Sequence, residues 1–115
     1  MTDVSADLHR ALDLIDSGDL SSAHTIAQAY EGDAIADSIH AIIHRKEGDY
    51  SNSLYWWHRV GKNVPVLLLA VCDDPSEFTI TVRDGSHSKD LSAIEHSEIM
   101  ALHRSIAAIS VGDLQ

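Results

Sequence analysis

Two stretches of the chain, SGDLSSA at residues 17–23 and EGDYSNS at residues 47–53, repeat one pattern 30 positions apart. Each reads Gly-Asp, a large apolar residue, two polar residues and a small one. The Gly can take the left-handed conformation that closes a helix. The Asp that follows can accept a bond from the free N–H groups that open the next one. A third turn, Glu31-Gly32-Asp33, lies between them. The segments between these turns carry helical spacing. Leu8, Ala11, Leu12 and Ile15 fall on one helix face, as do Ala23, Ile26, Ala27 and Tyr30. Ile35, Ile39, Ile42 and Ile43 form a third stripe, and Leu54, Trp57 and Val60 a fourth. The pattern predicts two antiparallel helical hairpins over residues 4–65.

The same turns resemble the inner turn of the tetratricopeptide helical repeat. In that family a Gly-Asp turn, an aromatic or aliphatic residue and a small residue mark where the first helix meets the second. Here the small residue is Ala23 and then Ser53, and Pro65 stands where the family often places a proline. The chain departs from the family in its period, which is 30 against about 34. Asp7 and Asp37 also replace the family's bulky residue in each first helix. Two units leave a stack open, so residues 66–115 are expected to close it. The resemblance implies a groove that binds a protein or peptide.

In that closing segment, Val64 to Cys72 is a nine-residue apolar run, read as a buried fifth helix. Asp74-Pro75-Ser76-Glu77 is a helix-start signal. Phe78, Ile80 and Val82 then alternate as a strand would, but a lone strand has no partner, so a short helix is expected. Gly85 to Lys89, with Ser86, His87 and Ser88, reads as a polar loop. Asp90 is expected to cap a final helix whose stripe is Ile99, Leu102, Ile106 and Ile109. The 115 residues suit one all-α domain of six to seven helices.

The net charge is −10, and up to Asp37 there are eight acids against Arg10 alone. Such a surface repels phosphate backbones, which argues against nucleic-acid binding. No apolar run approaches the roughly 20 residues that span a bilayer. The acidic N-terminal stretch and the single cysteine, Cys72, read as cytoplasmic, with Cys72 a buried inert thiol.

Candidate function concentrates between His40 and Lys62, which hold three of the eight histidines, both tryptophans and two of the three tyrosines. Arg45, Lys46, Arg59 and Lys62 make it the one basic patch. Folding back about Gly48 puts His44 beside Ser53, Arg45 near Asn52, and His40 near Trp56 or Trp57. The leading reading is a partner-binding surface made by His40, His44, Arg45, Asn52, Tyr55, Trp56, Arg59 and Lys62. Against it stands a reading of His40 and His44 as core side chains, bonded to Asn52, Tyr55 or backbone carbonyls. No cofactor is expected on the leading reading, and no catalytic residue is identified.

The alternative is a small metal- or anion-binding enzyme centred on His40 and His44, which share a helix face four residues apart. Glu47, or Glu95, His96, Glu98 or His103 from the final helix, are the candidates for a third ligand. A further alternative is an acidic inhibitor or immunity-type protein presenting Asp3, Asp7, Asp13, Asp16 and Asp19. Self-association is compatible with each. The string His40-x3-His44-Arg45-x-Glu47-Gly48-Asp49-x2-Asn52-x2-Tyr55-Trp56 is also similar to one in a group of small microbial and fungal helical proteins. That likeness implies no activity.

Overall fold

The computed structural model describes residues 3–85 and 91–113, the last four of these by their backbone alone. Every regular element among them is helical. The order is α1 (Val4–Ser17), α2 (Leu20–Ala29), α3 (Ala34–Lys46), α4 (Tyr50–Val60), a 3-10 turn (Gly61–Asn63), α5 (Val66–Leu69), α6 (Pro75–Asp84) and α7 (Leu91–Asp113).

The two repeated turns have the same backbone solution. Gly18 and Gly48 sit at φ +90° and +81°. Asp19 N–H donates to the Leu14 carbonyl at 2.9 Å, and Asp49 N–H to the His44 carbonyl at 2.9 Å. That is the C-terminal helix motif that a left-handed residue permits. Each Asp then caps the next helix: Asp19 accepts from Ser22 N–H, and Asp49 from Asn52 N–H. Asp3, Asp33 and Asp74 do the same for α1, α3 and α6. The small residue inside each hairpin is fully buried. Ser53 uses its place there to donate its hydroxyl to the Ala41 carbonyl at 2.7 Å.

α3 is the centre of the molecule. It packs on α1, α2, α4 and α7, and it is buried from Ile35 to Ile43 and again at Arg45. One face therefore carries the isoleucine stripe, and the others carry buried polar groups. α7 lies across α1, α3 and α5, delivering Ile99, Leu102 and Ile106 to the same core cluster. Ile109, the next residue of that stripe, is exposed and lines a surface groove instead.

The segment 64–72 corrects the expectation of a buried helix. Only the single turn Val66–Leu69 is helical, and one turn can aim only one of its residues inward. Leu68 is that residue, while Val66 is 79 % exposed and Leu67, Leu69 and Val71 face outward. Residues 78–84 are helix. Asp74 and Pro75 set the start, and Pro75, Phe78 and Thr79 form the buried face, a helical spacing that overrides the alternation of β-formers. The expected polar loop at residues 86–89 and the cap at Asp90 lie outside the described residues.

Candidate functional site

α3 and its neighbours put three imidazoles together. His40 and His44 come from α3, one turn apart, with stacked rings whose centroids are 5.0 Å apart. The third is His24, from α2. Its Nε2 lies 2.9 Å from His40 Nε2. Its ring meets His40 and His44 edge-on, at 4.5 and 5.4 Å between centroids. One ligand atom from each ring lies within 4.8 Å of those from the other two, the one such group of His, Cys or acidic side chains among the described residues.

The surroundings are dry on one side and acidic on the other. His40 is buried, and its Nδ1 has no hydrogen-bond partner. Burial first, and then the charges of His24 and His44, push its pKa down to about 4, so the ring is neutral at ordinary pH. His44 turns Nδ1 toward Glu47 Oε1 at 3.2 Å and Asp49 Oδ2 at 3.7 Å, without the alignment of a hydrogen bond to either. The Asn52 side chain holds Asp49 as a carboxylate, donating to it at 2.7 Å and lowering its pKa.

Trp56 roofs the group, its ring 4.0 Å from His40 and nearly parallel to it. Outside Trp56 lies a surface rack. The Arg59 guanidinium sits 5.1 Å from the Trp56 ring and 5.9 Å from the Tyr55 ring, and donates to the Tyr55 hydroxyl at 3.3 Å. Tyr55 is half exposed, and Glu31 of the neighbouring turn comes within 3.7 Å of Arg59. His40, His44, Tyr55, Trp56 and Arg59 thus form one continuous group with His24. Lys62 does not join it. Lys62 lines a separate cleft of about 380 Å³ beside Trp57, His58 and Asp74. Asn52 touches the group only through Asp49.

Arg45 is elsewhere. The expected neighbourhood with Asn52 is replaced by a buried network on another side of α3. Arg45 is 1 % exposed and donates to Thr79 Oγ1 at 3.0 Å, to Glu98 Oε1 at 2.6 Å and to the Pro75 carbonyl at 3.3 Å. The physical reason is adjacency. A residue next to His44 projects about 100° round the helix, and α6 and α7 cover that side. Arg45 is therefore an internal cation matched by buried Glu98, and Lys46 pairs with Glu95 at its edge. Glu95 and Glu98 belong to this network, not to the imidazoles.

His24 is the residue that sequence reasoning missed. Folding the chain back about Gly48 pairs residue 40 with residue 56. Folding it about Gly32 by the same rule pairs residue 24 with residue 40. The remaining described histidines lie away from this group. His9 and His103 join α1 to α7 through Nδ1 atoms 2.7 Å apart, with Asp13 at 3.4 Å from His103 Nε2. His96 lies 3.8 Å from Asp16.

None of the three clefts described on the surface is lined by His24, His40 or His44. The aspartates of the first hairpin are engaged within the chain. Asp3 and Asp19 cap helices, Asp7 accepts from the Tyr30 hydroxyl at 2.6 Å, and Asp13 and Asp16 face histidines of α7. No helix among the described residues is long and apolar enough to cross a membrane. Comparison with known proteins found no matching family, no matching curated protein and no matching solved structure.

Proposed function

We propose that this chain is a small cytoplasmic helical binding module, built of tetratricopeptide-like hairpins, that takes a protein or peptide partner on the outer surface of α4. The observation that carries the reading is the Arg59 guanidinium resting on Trp56 and Tyr55. Trp, Tyr and Arg are the residue types that dominate binding energy at protein interfaces. Stacking on the rings holds the planar cation in one orientation, with N–H groups left for a carboxylate. Glu31 already stands 3.7 Å away in a loose, exposed pair, so a carboxylate of a partner can take the same place at little cost. An acidic peptide segment is the partner that this chemistry fits.

The test is a photo-crosslinking amino acid at Tyr55, with a second one at exposed Thr25 as control. The expected result is a discrete adduct from position 55 alone. It should disappear when Arg59→Ala is added, while the circular dichroism spectrum is unchanged. The reading fails if no adduct forms, or if both positions capture the same set of proteins.

A further inference from the structure

We propose that His24, His40 and His44 form a binding site for one divalent transition-metal ion of the zinc class. His24 and His40 would bind through Nε2, and His44 through a ring nitrogen.

The argument is geometric first. Ligand nitrogens about 2.0–2.1 Å from a tetrahedral zinc stand roughly 3.3 Å apart. His24 Nε2 and His40 Nε2 are 2.9 Å apart, and no distance in the three-atom set exceeds 4.8 Å. Side-chain adjustments of about 0.4 Å to at most about 1.5 Å, with rotation of the stacked His40 and His44 rings toward each other, convert one set into the other. α2 and α3 already hold the three rings against one another.

The chemistry of the donors agrees. Two imidazole nitrogens that face each other at 2.9 Å share one proton between two lone pairs. A cation satisfies both lone pairs at once. The unpartnered Nδ1 of buried His40 is the nitrogen that carries the ring's proton once Nε2 ligates. The Glu47 and Asp49 carboxylates lie 3.2 and 3.7 Å from His44 Nδ1. A carboxylate behind a histidine is the usual second partner of a metal-bound imidazole. A cation at the cluster gains from the Glu47 and Asp49 carboxylates and from the chain's charge of −10.

Three imidazoles leave a fourth position of a tetrahedral ion for water or another ligand. None of the three described clefts reaches the site, and it suits an ion that ties the first hairpin to the second, since His24 belongs to one and His40 and His44 to the other.

The experiment uses the full chain, stripped with chelator and titrated with Zn²⁺ and with Co²⁺. Expected are one ion per chain by native mass spectrometry and a visible Co²⁺ spectrum of tetrahedral type. Zn²⁺ should also shift the imidazole resonances of His24, His40 and His44 and leave those of His58 and His96 in place. His24→Ala and His44→Ala should weaken binding by more than roughly 100-fold, and Glu47→Gln by about 10–100-fold. His58→Ala should bind as the parent does. The proposal is overturned if the parent binds neither ion, or if His24→Ala and His58→Ala weaken binding equally, which would mark scattered surface coordination. Should an alanine variant fail to fold, the imidazole shifts of the parent decide the matter alone.

Discussion

Trp56 lies flat on His40, with ring centroids 4.0 Å apart and planes 17° from parallel. The pair joins a surface to an interior. One face of Trp56 carries the Arg59 rack, and the other covers buried His40.

Removing that cover has two measurable results. Trp56→Ala deletes a buried aromatic from the core and is expected to cost about 3–5 kcal/mol in urea unfolding. It also admits water to His40. The His40 resonances should then titrate nearer to an ordinary imidazole, whereas in Trp56→Phe they should stay close to the parent's.

Acid should destabilise the metal-free protein over a defined window. His40 has a pKa of about 4 when folded against 6.5 in an unperturbed chain. Its neighbours are His24 of α2, His44 on its own helix, with Glu47 and Asp49 beside that ring, and Trp56 of α4. Between those two pH values the unfolded chain holds the proton and the folded one does not. Stability is therefore complete above the upper value and falls as the pH drops toward the lower one, by about 3 kcal/mol at most. Denaturant curves at pH 7, 5.5 and 4 check this, and His40→Gln should flatten the trend.

Thr79 is a single hydroxyl with three partners. It accepts from Arg45 Nε at 3.0 Å and from Trp57 Nε1 at 3.1 Å, and donates to the Pro75 carbonyl at 2.8 Å. Thr79→Val keeps the shape and strands two buried donors, at about 1–3 kcal/mol for each. Thr79→Ser keeps the hydroxyl and should recover most of that loss in the same unfolding assay.

Cys72 should be unreactive in the native protein. Burial, and then the charge of Glu98, push its thiol up to about 12. A disulfide reagent such as DTNB is expected to label it slowly at pH 8 and promptly in urea. Equal rates in both conditions would contradict its placement in the core.

Much of the helical framework was legible because Gly-Asp turns and apolar stripes are local signals. The pairing of His40 with Trp56 was legible too, since a hairpin folds one known segment on another. The destination of Arg45 was not. Its partners Thr79 and Glu98 are 34 and 53 residues away, and nothing local says that α3 is covered on both sides. Nor was α5, where an apolar run became surface because a four-residue helix offers the core only Leu68. His24 follows from a second fold-back, about Gly32, which sets residue 24 against residue 40 as Gly48 sets residue 56.

The enclosure of α3 also orders the way this protein comes apart. Both hairpins and α7 must loosen before its central amides meet solvent. Those amides, from Ile39 to Ile43, are therefore the ones that open only with the whole chain, and their hydrogen exchange measures global unfolding. The ends of α1 and α6 report only on local fraying. An ion bound between His24 and His40 would act on that slowest class, because it fastens α2 to the helix that also packs on α1, α4 and α7.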